Sequence, residues 1–209
     1  MSDKTTAERR RLPPQVRVQQ ILDAAFHVFA EKGFVATRID DIAAAAGLSK
    51  GGVYNHFSSK EEIFSSMVRY RVEQRPPIEM PDEATPVTVD LICETFVAPV
   101  YAVFADDDEI RLLRIIMVEA ARSTEHPADR LGAYSQPFVE KLQQVVDRGI
   151  EQGNLKASAF SRSVGLIVTP ALGYMFNRLV GGETSAAAVA AYRAEHIALL
   201  REVLTADKE

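Results

Sequence analysis

Two short helical segments joined by a tight turn constrain the fold of this chain more than any other feature, and they lie between Thr37 and Lys60. Thr37 is suited to begin a helix, because its hydroxyl can accept a bond from an early backbone N–H while Asp40 returns one to the cap. Gly47 can adopt the left-handed conformation that ends such a helix, and Ser49 can cap the next one. The stretch therefore predicts a helix-turn-helix motif.

The second helix of this motif has a polar, basic and aromatic outer face. Val53 and Phe57 lie four residues apart and are expected to face inward. The side chains left outside are Lys50, Tyr54, Asn55 and His56. A helix of this size fits the major groove of B-DNA, where such side chains can meet phosphates and base edges.

Charge is divided unevenly along the 209 residues, whose formal net charge is −5. Residues 1–75 carry twelve Lys or Arg against nine Asp or Glu, a balance of +3, and residues 76–209 have a balance of −8. A basic end can approach phosphate while an acidic end stays away from it. The residues Arg9–Arg11 lie in a segment, 1–14, that we expect to be a flexible basic arm, either solvated or reaching into the minor groove.

Several short motifs in this region resemble the DNA-binding domain of TetR/AcrR-family regulators. They are Phe29–Phe34, Ile42–Ala43, Ala46–Gly51, Val53–Phe57 and Ser59–Glu61. The resemblance is specific over residues 15–64, while the remainder is similar to the family only in length and helical character. It implies a three-helix DNA-binding domain, a helical C-terminal domain that holds a small molecule, and a homodimer on a palindromic DNA operator.

Two features depart from the family pattern. Gly52 stands where the family usually carries Thr, Ser or another residue with a side chain, so one frequent DNA contact is missing and the helix start is looser. The acidic pair Asp40–Asp41 suits the N-terminal end of a helix dipole, but it would repel phosphate if it faced DNA.

Seven residues form the candidate DNA-binding set. We assign Lys60 and Tyr54 to phosphate and Asn55 to a base edge. Three further side chains could contact either, and one glycine completes the set. The seven residues are Thr37, Lys50, Gly51, Tyr54, Asn55, His56 and Lys60.

The whole chain is predicted to be all-α. A first helix opens at Pro13–Pro14, ends at Gly33 and carries an apolar stripe that we expect to be buried, formed by Ile21, Leu22, Ala25, Phe26 and Phe29. A fourth helix starts with Ser59 as its cap and runs to about Gln74, before Pro76–Pro77. The proline-rich segment 75–86 is predicted to be a linker or long loop. Five further helices are expected at about 86–105, 108–124, 128–152, 158–181 and 185–206.

Prolines inside these predicted helices mark kinks or missed boundaries. They are Pro99, Pro137 and Pro170, of which Pro137 is expected to split its helix in two. The fourth helix is expected to connect the two functional halves. These halves are a helix-turn-helix domain, 15–60, and a helical domain for ligand binding and dimerisation, 61–209.

The helix predicted at 108–124 has one apolar side, and aromatic residues come from neighbouring segments. This pattern alone slightly favours a filled core, but the family resemblance implies a cavity for a mainly hydrophobic effector. Arg114 and Glu119 could orient a polar end of that effector or could lie on the surface. The candidate ligand-binding residues are Phe96, Tyr101, Phe104, Leu113, Arg114, Met117, Tyr134, Phe138 and Tyr174.

The helix predicted at 158–181 is apolar on nearly all sides between Phe160 and Val180, so it must be covered on most sides. One chain could cover it internally, but a second copy is a simpler source of cover. The alanine-rich final helix would allow close approach, and TetR relatives dimerise here through a four-helix bundle. We therefore expect a homodimer formed by the last two helices.

Other chemistries find little support in the sequence. The four histidines have no metal-ligand spacing, and the single Cys93 has no His or second Cys beside it. Nucleophile-elbow, P-loop and dinucleotide motifs are absent, so we expect no enzyme activity, metal or cofactor. The chain lacks a long apolar run and an apolar N-terminal core, which predicts a cytoplasmic protein without a membrane span.

Together these observations predict an all-α transcriptional regulator, a repressor that binds a palindromic double-stranded operator as a homodimer. A mainly hydrophobic small molecule is expected to release it from DNA. The alternative is a helical protein-interaction module that binds no DNA. Binding to any DNA duplex at low salt would separate the two.

Overall fold

The computed structural model describes residues 13–120, 127–181 and 185–206, with only the backbone described at 127–134. Within these ranges every regular element is helical, which confirms the all-α prediction. The chain divides into two compact units, Met1–Arg75 and Pro76–Glu209. The fourth helix therefore belongs to the N-terminal unit as a whole. The predicted arm Arg9–Arg11 lies outside the described residues.

The N-terminal unit is built on a long first helix. Its helices are α1 (Pro14–Ala36), α2 (Ile39–Ala45), α3 (Lys50–Tyr54) and α4 (Lys60–Glu73). The apolar stripe predicted for α1 is buried, and α1 packs against both α2 and α4. Phe34 lies with its ring centroid 5.6 Å from that of Phe29 and 5.1 Å from that of Phe64. These rings close the core on the side where α1 turns toward α2.

Most helix ends in this unit are fixed by the residues that the sequence predicts. Gly33 and Gly47 have φ of 75° and 65°, a backbone that favours glycine, and they interrupt α1 and follow α2. The hydroxyls of Ser49 and Ser59 each accept a bond from a backbone N–H three residues ahead, both at 3.1 Å. These serines cap α3 and α4 as predicted.

The cap of α2 differs from the prediction. Arg38, not Thr37, precedes the helix, and the carboxylate that accepts from its N–H at 2.8 Å belongs to Asp41, not to Asp40. The one-residue shift arises because the Thr37 hydroxyl already donates to the Gly33 carbonyl at 2.7 Å. Thr37 therefore closes the end of α1 instead of starting α2.

The C-terminal unit has one core to which most of its helices contribute. Its elements are α5 (Val89–Ile92), a π-helical turn (Cys93–Val97), α6 (Ala98–Ala105), α7 (Asp107–Ala120), α8 (Pro127–Glu151), α9 (Ala159–Arg162), α10 (Gly165–Leu179) and α11 (Ala186–Leu204). Phe96, Leu142, Ile167 and Leu200 are fully buried at its centre. Among the described helices of both units, none is long and apolar enough to cross a membrane.

The prolines act differently from one another. Before Pro99, the Ala98 N–H bonds to the carbonyl of Cys93, five residues back, which makes the π turn. A wider turn relieves the clash that a proline ring makes with the carbonyl four residues earlier. The predicted split at Pro137 is wrong, because α8 continues through it; Pro137 is exposed, so solvent can compensate for the missing bond.

The single helix predicted at 158–181 is also wrong, because the chain forms α9 and α10 there. Ser158 and Ser161 cap α9 reciprocally, each side chain accepting the other's backbone N–H. Ser163 then leaves the helical region, with φ −130° and ψ 74°. The predicted 108–124 helix begins at Asp107, and its residues 121–124 lie outside the described ranges.

The segment that links α4 to α5, residues 76–88, is irregular, as predicted for a linker or long loop. We call it the connecting segment. It is not free of the core, because Val87 is completely buried and Ile78 packs against the same cluster. The loop after α8 is likewise fixed, since Leu155 forms an antiparallel bridge with Thr205 beyond the end of α11.

Candidate nucleic-acid interface and regulatory core

The helix predicted to enter the DNA groove, α3, has only five residues. Val53 is fully buried and anchors it to the unit, while the Ser49 cap fixes its start. Two of its five residues are glycines, and each costs up to about 1 kcal/mol relative to alanine in a helix. A Cβ at Gly51 would meet nothing within 4 Å, so this part of the helix surface is bare backbone.

The predicted outward face is exposed, although the helix that carries it is shorter than predicted. α3 ends at Tyr54, Asn55 is its C-cap, and His56 follows in the turn. Tyr54 is 48% exposed, Asn55 is exposed and His56 is half-buried. The two side chains with the greatest freedom to reach a base or a phosphate are therefore Tyr54 and Asn55.

Lys50 lies on the same face, but an acidic neighbour holds it. Its ammonium donates to the Asp40 carboxylate at 3.0 Å, and both side chains are more than half exposed. This hydrogen bond raises the pKa of Lys50. The ammonium has three donors, of which this carboxylate uses one, so Asp40 would compete with a phosphate for the same cation.

Lys60 is engaged in a way that the sequence did not suggest. Its ammonium donates to the carbonyl of Phe34 at 2.7 Å and to that of Thr37 at 3.0 Å, with Val35 at 3.4 Å. It also lies 4.4 Å from the centroid of the Phe34 ring. Lys60 therefore holds the end of α1, and its contact with phosphate stays a prediction.

Thr37 is the least accessible member of the candidate set. It is 2% exposed, and its hydroxyl donates to the Gly33 carbonyl. Lys50, Gly51, Tyr54 and Asn55 are exposed and His56 and Lys60 are half-buried, whereas the Thr37 side chain is buried. Its effect on DNA would pass through the backbone of the α1–α2 turn.

The sequence reading missed two contacts in this unit. Gln20 donates to the carbonyl of Ala46 at 2.8 Å and so ties α1 to the end of α2. Lys32 pairs with Asp41 at 2.8 Å, and that bond, with the Arg38 N–H, lowers the pKa of the Asp41 carboxyl. Among these residues only Asp41 could have been identified from the sequence, because it lies three residues after the cap residue Arg38, where a capping carboxylate is expected.

In the C-terminal unit, most of the predicted aromatic ligand residues lie inside the core. The rings of Phe96 and Phe138 pack edge to face at 5.8 Å, and those of Tyr101 and Tyr174 stack at 5.7 Å. Phe104 is 9% exposed and belongs to the same cluster. The structure thus brings these five side chains together into one apolar and aromatic interior.

The polar centre of this interior contains a histidine that was not among the candidates. The Tyr101 hydroxyl lies 3.1 Å from Nδ1 of His196, and Nε2 of His196 lies 2.9 Å from the Ile167 carbonyl. A carbonyl only accepts, so Nε2 carries the proton and Nδ1 accepts from the tyrosine. Burial lowers the pKa of His196, although the bond to Ile167 opposes this shift.

The remaining candidates on α7 and α8 are more peripheral. Leu113 is half-buried against the core, whereas Met117 is 44% exposed. Arg114 is exposed and donates to the Arg178 carbonyl at 3.2 Å, so its guanidinium binds the end of α10. The side chain of Tyr134 lies outside the described residues.

The described residues include no candidate metal site, and their cysteine is buried. No group of three or more His, Cys, Asp or Glu there could hold a metal ion. Burial raises the pKa of the Cys93 thiol to about 11, so it is protonated at neutral pH.

The chain is similar to known transcriptional regulators in sequence and in fold. The model for "Bacterial regulatory proteins, tetR family" matches residues 21–67. Over 203 residues the chain is 25% identical to the HTH-type transcriptional regulator SrpR of Pseudomonas putida, covering 97% of this chain and 91% of SrpR.

A shorter match lies in a named repressor. The chain is 45% identical over 53 residues to the HTH-type transcriptional repressor KstR2 of Rhodococcus jostii, covering 25% of this chain and 26% of KstR2. A TetR transcriptional regulator from Agrobacterium tumefaciens has the same fold, with a TM-score of 0.73 and 17% identity over 92% of this chain and 96% of that one.

Proposed function

The chain belongs to the TetR family and is a DNA-binding transcriptional regulator, and from this premise we propose that it is a repressor. It binds a palindromic operator as a homodimer and is released by a mainly hydrophobic small molecule. The observation that supports DNA reading most directly is the exposed pair Tyr54 and Asn55 at the end of α3. The proposed sign of regulation follows that of the named repressor KstR2, which matches 53 residues of this chain.

In this proposal the residues of the α3 surface have different roles. Tyr54 and Lys50 bind phosphate, and Asn55 reads a base edge through its amide, which can both donate and accept. His56 contributes from the edge of the surface, and Gly51 lets backbone approach the groove. Contacts to phosphate position the helix, whereas Asn55 supplies sequence preference.

The proposed dimer rests on an apolar face that the last two helices leave uncovered. The exposed apolar side chains of this face are Leu166, Leu172 and Phe176 on α10, Val180 just beyond its end, and Leu199 on α11. On α10 the spacing puts them on the side opposite the buried residues Ile167 and Ala171, and on α11 Leu199 flanks the buried side that carries His196. A second copy would bury this face, and two-fold symmetry would match a palindromic operator.

The proposed effector binds within the C-terminal unit. Phe96, Tyr101, Phe138 and Tyr174 supply an aromatic interior with tyrosine hydroxyls, which suits a mainly hydrophobic molecule. For release, the effector must bind the DNA-incompetent arrangement more tightly, because equal affinity for both arrangements shifts nothing. The protein would act in the cytoplasm, where the DNA is.

The experiment that tests DNA reading compares two duplexes. An operator is selected from a random duplex pool by the wild-type protein, and the affinity for it and for random DNA is measured by fluorescence anisotropy. Asn55→Ala should cost roughly 1–3 kcal/mol on the operator and little on random DNA. Equal losses on both would make Asn55 a phosphate contact, and failure of the wild type to bind any duplex at low salt would favour the interaction module.

The proposed dimer is tested by Phe176→Glu, which puts a charge on the uncovered face. The matched control is Val118→Glu, because Val118 on α7 is similarly exposed, at 55% against 60% for Phe176. Sedimentation should show a monomer for Phe176→Glu and a dimer for Val118→Glu and the wild type. Two dimeric variants would reject this face as the interface.

A further inference from the structure

The connecting segment is fastened to the C-terminal end of α8 by two side chains. Gln152 accepts from the Val87 N–H at 2.8 Å and donates to the Thr85 carbonyl at 3.4 Å. One turn earlier, both terminal nitrogens of Arg148 donate to the Pro81 carbonyl at 3.3 Å. These partners are 65 to 67 residues apart in sequence, so the bonds fix the segment by tertiary structure.

The end of α8 is also shaped to receive this segment. A Cβ at Gly149 would lie 2.9 Å from Cγ1 of the buried Val87 and 2.5 Å from Cδ1 of Leu155. Only glycine leaves room for both side chains at this turn of the helix. Packing and hydrogen bonding therefore converge on Val87.

The same end of α8 is joined to the end of α11. Lys156 donates its backbone N–H to the Leu204 carbonyl at 2.9 Å, next to the bridge between Leu155 and Thr205. Asn154 in this loop donates to the Gln152 amide oxygen at 3.2 Å. One short loop thus touches both the residue that holds the connecting segment and the last turn of a helix proposed for the dimer face.

The Arg148 contact is incompletely satisfied. Its Nε is buried and has no hydrogen-bond partner in the described part of the chain. A buried donor without a partner is unfavourable, so a rearrangement that gives Nε a partner would offset the free energy lost when the bonds to the Pro81 carbonyl break. Two arrangements of similar free energy are what a switching element requires.

From these contacts we propose that the end of α8 is a latch for the connecting segment. The latch is closed when Gln152 and Arg148 hold the segment and open when these bonds are broken. The protein with a closed latch and the protein with an open latch differ in their affinity for DNA. The proposal rests on the proposed function, because it concerns regulation of DNA binding. The connecting segment follows α4 in sequence, and α4 belongs to the unit that contains α3. By linkage, operator DNA must shift the latch equilibrium by the same factor by which the latch shifts DNA affinity.

The test uses Gln152→Met in the full chain, with Gln143→Met as matched control. Gln143 lies on the same helix and donates to the Ser161 carbonyl at 3.0 Å and to Asp147, but it makes no bond to the connecting segment. Hydrogen exchange of the Val87 amide reports latch opening. Gln152→Met should speed this exchange at least about five-fold, because it removes the acceptor of the Val87 N–H together with the bonds to Thr85 and Asn154, and Gln143→Met should leave it unchanged.

The second part compares exchange and affinity, using an operator selected from a random duplex pool. Saturating operator should change Val87 exchange in the wild type, and Gln152→Met should change the operator Kd by up to about five-fold. If the operator slows exchange, the variant must bind more weakly; if it speeds exchange, the variant must bind more tightly.

Two results would overturn the latch. The first is unchanged Val87 exchange on operator binding, and the second is a change of the Kd of Gln152→Met in the direction opposite to the one that this exchange requires. In each of these results the wild type still binds the operator, so the proposed function remains supported while the latch is rejected. A wild type that binds no duplex shows a flat anisotropy titration, and that result rejects the proposed function and the regulatory role of the latch with it.

Discussion

Several polar contacts of the N-terminal unit are local, whereas the buried pair at the centre of the C-terminal unit joins distant parts of the chain. In the N-terminal unit, the Thr37 hydroxyl bonds Gly33 four residues away, and Ser49 caps a helix whose bonded N–H is three residues ahead. In the C-terminal unit, Tyr101 and His196 are 95 residues apart. Local bonds leave local signals in a sequence, whereas a pair 95 residues apart leaves none that one sequence can reveal.

The units also differ in where their polar groups are placed. Lys60, Lys50 and Tyr54 lie at or near the surface of the N-terminal unit, where a ligand can compete for them. Tyr101 and His196 are each 3% exposed within the C-terminal core. The first arrangement suits binding to a large polyanion. The second suits a core that either excludes a polar group or satisfies it completely.

The largest expected effect tests whether the two cores are separate. Phe29 and Phe96 are both fully buried, one in each unit. Phe29→Ala and Phe96→Ala should each lower the free energy of unfolding by about 3–5 kcal/mol, because each leaves a cavity. Hydrogen exchange followed by mass spectrometry should show lost protection mainly in the unit that carries the substitution. Equal loss in both units from either variant would mean that they unfold together.

A smaller effect is expected from the buried pair in the C-terminal unit. Tyr101→Phe removes the donor to His196 and leaves its Nδ1 without a partner, which should cost about 1–3 kcal/mol in denaturant unfolding. Tyr192→Phe is the control, because its hydroxyl donates to the Pro170 carbonyl at 3.0 Å but Tyr192 is 45% exposed. Water can replace that bond, so the control should cost less. Equal losses of unfolding free energy in the two variants would mean that burial does not increase the contribution of the bond between Tyr101 and His196.

How much of this could be read from the sequence differs between the units. The turn at Gly47, the caps at Ser49 and Ser59 and the buried stripe of α1 were all predicted, because each depends on residues within one or two turns. The misplaced cap at Thr37 shows the limit of such signals. Two adjacent residues both fit a cap, and the competing bond to Gly33 decides between them.

The C-terminal unit was predicted as helices without their contacts. Pro137 was expected to break a helix that continues, and α9 and α10 were joined, because a proline or a serine has different effects in exposed and buried places. The aromatic residues were identified from their segments beside an apolar helix and from the family resemblance, but His196 was set aside as one of four scattered histidines. Only the fold brings it to Tyr101.

The same histidine predicts a dependence on pH. Its pKa in the folded chain lies below the ordinary 6.5, so the unfolded chain binds more protons. The contribution of neutral His196 to the free energy of unfolding is therefore complete above about pH 6.5, and it is lost as the pH falls from there through the pKa of the folded chain. Unfolding measured from pH 8 to 5 should show this loss in the wild type. His196→Gln should flatten this part of the profile, and an unchanged slope would assign the loss to other groups.

The smallest expected effect uses one substitution in both units. Gly51 in α3 and Gly165 in α10 both have open space where a Cβ would stand, and neither has a left-handed φ. Gly51→Ala and Gly165→Ala should each stabilise their unit by about 0.4–1 kcal/mol, chiefly by restricting the unfolded chain.

Their effects on DNA binding should differ. If bare backbone at Gly51 approaches the groove, its added methyl group weakens binding even though the helix becomes more stable. Gly165→Ala should leave DNA affinity unchanged, which separates a contact effect from a stability effect. Unfolding curves and anisotropy titrations on the same preparations give both quantities. Tighter DNA binding by Gly51→Ala would mean that order in α3 limits affinity, and it would remove Gly51 from the candidate interface.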